Sequence, residues 1–193
     1  MPSKMERMKR EECQLSDGDL VLRPIGIQDL EAVFPYVSNP DIPEFMAWEA
    51  HKEIEETREF IQRLEDNFGN DKGITWSIFY KGEFAGIFSI IAILRKHRAL
   101  IYNRAELAYW CGPEYQGKGI MTGAGKLVLQ FAFEQMNINR LVVSHFTVND
   151  ASKNLILRLG FSYIGTEHES FQKDGIWYDH ALYELLKNDF KKD

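Results

Sequence analysis

Sulfur for cross-linking and apolar length for crossing a membrane are both scarce in this chain. Two cysteines among 193 residues, Cys13 and Cys111, can build neither a disulfide framework nor a four-cysteine zinc site, which suits a reducing cytoplasm. Neither has the surroundings of a nucleophile, and Cys111, following an aromatic strand-like run, reads as a small packed apolar residue. A membrane-crossing helix needs roughly 20 apolar residues. The longest such run here, over 84–94, is shorter and is interrupted by Gly86 and Ser89. A basic excess is missing as well. The net charge is −6, whereas general nucleic-acid binding relies on a basic surface to neutralise phosphates. No direct nucleic-acid partner is expected, and an acidic face instead attracts cationic amines. His51, His97, His145, His168 and His180 have no companion at ligand spacing, such as i and i+4 on one helix, so no metal is expected. No G-x-S-x-G elbow marks a serine hydrolase, and there is no internal repeat or low-complexity stretch.

What is present suffices for one core: 45% of the residues are hydrophobic. Residues 1–12 mix Lys4, Arg7, Lys9 and Arg10 with Glu6, Glu11 and Glu12 and lack an apolar stretch, so they read as a flexible tail and not as a signal peptide or anchor. Residues 13–193 then form a single domain. The patterning predicts a strand over 20–24, a helix over 28–37 carrying Leu30, Val33, Phe34 and Val37, and a proline-bearing loop. A second helix spans 51–68, with Ile54, Phe60, Ile61, Leu64 and Phe68 as its buried stripe and Glu53, Glu55, Glu56 and Glu59 outward. Lys81-Gly82-Glu83 closes a hairpin between 74–80 and 84–94, and a strand over 104–111 comes next. Beyond it lie a helix over 119–136, a β-branched strand over 141–148, a helix over 150–159 stopped by Gly160, and a hairpin of 161–172 with 176–185 across Lys173-Asp174-Gly175. The order is mixed and not alternating. It predicts an α+β fold with a largely antiparallel sheet and one central β-α-β unit placing two strands parallel.

The most informative residues join that strand to its helix: Pro113-Glu114-Tyr115-Gln116-Gly117-Lys118-Gly119-Ile120-Met121-Thr122. Glycines at a helix N-terminus let unpaired backbone N–H groups approach an anion, and the peptide dipoles favour its charge. A P-loop does not fit, because Ile120 and Leu127 occupy the places of its first glycine and its hydroxyl residue. A dinucleotide fingerprint fits Gly117, Gly119 and Gly123 loosely, but that turn belongs after the first strand of a βαβ series. The third reading takes Gln116-x-x-Gly119-x-Met121 as the pyrophosphate turn of an acyl-CoA-dependent acetyltransferase.

Over residues 105–161 the chain resembles the GNAT superfamily of N-acetyltransferases. The resemblance rests on Ala105-Glu106-Leu107-Ala108-Tyr109-Trp110, Tyr115 to Thr122, Asn149-Asp150-Ala151-Ser152 and Leu159-Gly160-Phe161. Within it the Tyr-Trp pair, the Gly-Lys-Gly turn and the Asn-x-x-Ser are most similar to the RimJ/RimL group of ribosomal-protein N-terminal acetyltransferases. Met121 stands where the superfamily prefers glycine or alanine, and Ala108 where the group has glycine. The resemblance implies a GNAT-like twisted mixed sheet flanked by helices, its two parallel strands splayed around acetyl-CoA. The pantetheine arm would pair with the backbone at Tyr109, Trp110 and Cys111, in the manner of an added strand, and with the amides of Asn149 and Asn154. Residues Gln116, Gly117, Lys118, Gly119, Ile120, Met121 and Thr122 would hold the diphosphate.

For acetyl transfer, a neutral amine must attack and the leaving sulfur must be stabilised. The resemblance implies Glu106 as the base, directly or through water, and Ser152 near the sulfur. Ile156 stands where many relatives have a tyrosine, and Asn149 is equally a helix cap. Trp48 and Asp179 are candidate acceptor-side residues, Asp179 holding either the amine or a neighbouring backbone. The expected acceptor is a primary amine, the N-terminal α-amine of a protein, with a small amine such as an antibiotic or polyamine, or a non-catalytic acyl-CoA-binding module, as alternatives. Exposed strands and aromatic residues could support a homodimer.

Overall fold

The computed structural model describes residues 8–191. Eight strands form one sheet in the order β1-β2-β3-β4-β5-β6-β8-β7. They are β1 (Leu15–Asp17), β2 (Leu20–Pro24), β3 (Ile74–Tyr80), β4 (Glu83–His97), β5 (Leu100–Cys111), β6 (Arg140–Phe146), β7 (Ser162–Lys173) and β8 (Ile176–Leu186). Every neighbouring pair is antiparallel except β5 with β6. Helices α1 (Leu30–Val37) and α2 (Ile54–Gly69) cover one face, and α3 (Ile120–Gln130) and α4 (Asp150–Arg158) the other.

Side-chain alternation along the strands feeds a core on each face. Ala105 and Leu107 of β5 join the α3/α4 core with Trp76, Phe88, Val128 and Leu155, while Trp110 points to the α1/α2 core with Val33, Val37, Ile61 and Phe84. Helix α2 buries Thr57 and Ile61 and turns Glu53, Glu55, Glu56 and Glu59 outward. The α1/α2 side also encloses a polar knot. Buried Asp29 accepts from Ser77 Oγ (2.8 Å) and Gly26 N–H (3.2 Å) and pairs with Arg23, so its charge is satisfied from three directions.

Three local expectations change. Of the tail expected over 1–12, residues 1–7 lie outside the described residues. Arg10–Cys13 forms a 3-10 turn, with Arg10 paired to Glu65 of α2 at 2.8 Å and the buried Cys13 carbonyl accepting from Trp76 Nε1 at 2.7 Å. These are tertiary contacts with no local signature. The β4–β5 hairpin runs on to a turn at Arg98 (φ 53°). Its outer part is exposed on both faces, with Leu94, Leu100, Ile101 and Tyr102 set among charged residues, so no buried-face alternation marks it. The helix after the glycine turn ends at Gln130 and continues as a π-helical turn over Phe131–Gln135. Among the described residues no helix is long and apolar enough to cross a membrane.

Candidate active site

The parallel register of β5 and β6 lasts three residue pairs: Arg104 with Arg140, Ala105 with Leu141, and Glu106 with Val142. Past them β5 continues to Cys111 and β6 to Phe146 without pairing to each other. The strands part, and from residue 107 onward one edge of β5 offers main-chain groups that no strand takes up. An extended, amide-bearing chain can add there as a further strand would.

The opened edge leads directly into the glycine turn. Gly112 N–H reaches the Ala85 carbonyl (2.9 Å), and Gln116 N–H the Pro113 carbonyl (3.2 Å). The next N–H with a backbone acceptor is Gly123, on the Gly119 carbonyl (2.9 Å); among the described residues the N–H groups of 117–122 have none. Gly117 (φ 71°) and Gly119 (φ 77°) are left-handed, and an added Cβ at either would touch nothing within 4 Å. Backbone shape, not crowding, therefore requires glycine, and the space before the turn is open. Met121 is half-buried against the core, and among the described residues its N–H has no backbone acceptor. Lys118 is exposed, its Nζ 5.9 Å from the Tyr115 ring centre. A run of unpaired donors at a helix N-terminus fits a diphosphate.

Residues 106 and 109 lie on opposite faces of β5. On the α3/α4 side, Tyr109 stacks on Phe88 (5.1 Å between ring centres) and its hydroxyl lies 2.9 Å from Ser152 Oγ. Asn149 caps α4, its Oδ1 accepting from Ser152 N–H at 3.0 Å, so α4 presents the serine to the tyrosine. Burial pushes the Tyr109 hydroxyl up to about 12, against a lowering by the Ser152 bond. On the α1/α2 side, Glu106 is half-buried, without a side-chain hydrogen-bond partner among the described residues. Burial raises its pKa above the ordinary carboxylate value, with Arg104 opposing.

Trp110, four residues further along that face, anchors an aromatic group. Trp48 lies 6.5 Å from it, and Tyr36 and Phe84 each 6.0 Å. Tyr36 also donates to Glu114 Oε1 at 2.5 Å, tying α1 to the segment before the glycine turn. Burial first, then Glu114, raises the Tyr36 hydroxyl pKa. Burial and then Glu114 push the Cys111 thiol up to about 11, which keeps it protonated.

The structure thus brings together Asn149, Ser152 and Tyr109, brings Trp48 to Trp110, and aligns residues 116–122. Two expected residues stand outside these contacts, Asp179 in the backbone role that was one of the two expected for it. Both Asp179 oxygens serve the neighbouring strand, Oδ2 with His168 Nδ1 (2.8 Å) and Oδ1 with Glu169 N–H (2.8 Å). Those bonds hold its pKa below the ordinary value. Asn154 is exposed on α4 with no side-chain partner among the described residues. Sequence reasoning took Tyr109 for its backbone alone. Its side-chain role and the Tyr36–Glu114 link depend on packing between distant segments, and no local motif announces them.

Residues 19–162 match the acetyltransferase (GNAT) domain family. The uncharacterized N-acetyltransferase YoaA of Bacillus subtilis is 30% identical over 175 residues, 90% of this chain and 96% of that protein. The spermidine N(1)-acetyltransferase of Escherichia coli is 30% identical over 152 residues, 78% of this chain and 77% of its own. Among solved structures, the ribosomal L7/L12 alpha-N-protein acetyltransferase RimL in complex with coenzyme A has a TM-score of 0.83 at 23% identity. The match covers 90% of this chain and 97% of that one, a likeness of fold.

Proposed function

We propose that this chain, which belongs to the GNAT acetyltransferase family, moves an acetyl group from acetyl-CoA to the N-terminal α-amine of a protein. The observation that carries the reading is the parting of β5 from β6 into a turn of unpaired N–H groups, which suits an amide-bearing arm ending in a diphosphate. Acetyl-CoA, when bound, supplies a thioester carbonyl activated toward nitrogen. Residues 107–111 pair with the arm through their backbone, and the N–H groups of 117–122 hold the diphosphate. Asn149, its Oδ1 engaged in capping α4, has its side-chain N–H donors left to offer the arm.

Glu106 takes the proton from the attacking amine, directly or through one water. A carboxylate is a weak base. An α-amine, with a pKa of about 8 against 10.4 for a lysine side chain, costs about 3 kcal/mol less to deprotonate and suits it better. Ser152 and Tyr109 serve the departing sulfur. A hydroxyl with a pKa of about 12 gives its proton to a thiolate whose thiol titrates near about 8.5 only uphill. The pair therefore donates a hydrogen bond to the developing charge. Trp48 and Trp110 wall the acceptor side, and Asp179 steadies the β7 backbone beside it.

A polyamine acceptor is the second reading. The spermidine acetyltransferase relative and the four exposed glutamates that open α2 beside the Trp48 loop favour it. Incubation with acetyl-CoA and a panel of N-terminal peptides, polyamines and aminoglycosides, read by thiol release and product mass, separates the two. Glu106→Gln is expected to bind coenzyme A as the wild type does and to turn over about 100-fold or more slowly. Coenzyme A binding without transfer to any amine would instead make the protein a non-catalytic acyl-CoA-binding module.

A further inference from the structure

The loop between α1 and α2 has few ties of its own. Over residues 38–53 its only helical turn is Ile42–Phe45, and three prolines in or beside it, Pro35, Pro40 and Pro43, remove N–H donors. Its longest-range main-chain bond runs from His51 N–H to the Val37 carbonyl (2.9 Å). Yet this loop lays the Trp48 ring beside Trp110.

Beyond the packing of Ile42, Met46 and Trp48 on the α1/α2 core and the His51 Nδ1 contact with Thr57 Oγ1 (2.8 Å), hydrogen bonds reach it from the far end of the chain through Lys173, at the tip of the β7–β8 hairpin. Its Nζ donates to the carbonyls of Met46 (3.0 Å), Trp48 (3.4 Å) and Pro43. Three acceptors match the three protons of an ammonium, and no carboxylate pairs with it among the described residues. Lys173 is half-buried, so these are charge-assisted bonds partly shielded from water.

The hairpin is shaped for this reach. Its register breaks between Glu167 and Phe171, where Glu169 takes φ 46° and Asp179 holds both the Glu169 N–H and His168. A bulge of this kind bends a strand and re-aims the residues beyond it, here the stretch that ends in Lys173.

We propose that Lys173 is a positioning residue of the acceptor site: by gathering three carbonyls of residues 43–48 it fixes the loop that presents Trp48 to Trp110. The inference rests on the proposed role of that aromatic wall in holding the amine. Lys173→Met keeps the length of the apolar stem and removes every donor, and Lys173→Arg restores donors. In Lys173→Met, amide hydrogen exchange over residues 44–51 is expected to quicken tenfold or more, with the rest of the chain unchanged. The KM for the amine rises five- to twentyfold, while kcat and the KM for acetyl-CoA stay within twofold. Lys173→Arg recovers most of both effects. Where Met proves unfolded by circular dichroism, Lys173→Gln takes its place. Unchanged exchange overturns the clamp, and faster exchange with an unchanged amine KM overturns its positioning role. A wild type inactive toward every amine overturns the functional reading and the acceptor role with it, and the exchange comparison, which needs no substrate, identifies which has failed.

Discussion

Burial acts in the same direction on Glu106 and Tyr109, three positions apart on one strand, and the chemical consequences are opposite. A raised tyrosine keeps its proton and remains a donor across the working range. A raised carboxylate gains a proton sooner as pH falls, and loses its use as a base. The acidic limb of kcat/KM is therefore expected above the ordinary glutamate value of about 4.3, with the rate falling as pH drops through it. Arg104 lowers the Glu106 pKa against that burial, so Arg104→Met moves the limb to higher pH, and Glu106→Gln leaves a slow rate without it. A pH–rate profile whose acidic limb ignores both substitutions removes Glu106 from the mechanism.

At the scale of the element, the proposed diphosphate binding rests on the start of α3, where among the described residues the N–H groups of 117–122 have no backbone acceptor. Gly119→Ala puts a side chain at φ 77°, a conformation that costs an L-residue about 1–2 kcal/mol. The chain relieves this strain by shifting the N–H groups of the first helical turn. Coenzyme A affinity, by calorimetry, is expected to fall about tenfold, while Tm drops only a few degrees. Lys118→Ala, which removes an exposed charge, costs two- to threefold. Equal affinity in Gly119→Ala would place the diphosphate elsewhere. This turn was legible in the sequence because glycine spacing and the change from strand to helix patterning are local properties. The hairpins at Lys81-Gly82 and Asp174-Gly175, and helices α2 and α4, were legible for the same reason. Strand β1 was not: three residues, two of them polar and exposed, carry no period. Nor could spacing show that Lys173 meets carbonyls around Met46, that Tyr109 meets Ser152, or that Arg10 meets Glu65. Each of these contacts joins segments far apart in the chain.

Across the whole molecule, the sheet separates two sides that the gap between β5 and β6 reconnects. The turn of free donors and the Tyr109–Ser152 pair belong to the side of α3 and α4; Glu106, Trp110 and the Trp48 loop belong to the side of α1 and α2. Charge is uneven in a way that bears on the acceptor. The chain carries −6 overall, and exposed Glu53, Glu55, Glu56 and Glu59 cluster at the start of α2, next in the chain to the Trp48 loop. Such a field draws a polycation from a distance and does little for a peptide whose one positive charge is the α-amine itself. Salt separates the cases, since the screening length shrinks from about 30 Å at 0.01 M to about 8 Å at 0.15 M. Over that range the KM of a polyamine is expected to rise about tenfold, and that of an otherwise neutral peptide less than twofold, with kcat steady for both. Replacing Glu53 and Glu59 by Gln should flatten the polyamine response and leave the peptide untouched. A polyamine KM indifferent to salt would mean that the acidic flank takes no part in acceptor capture, and the choice between amines would then fall to the aromatic wall and the basicity of Glu106.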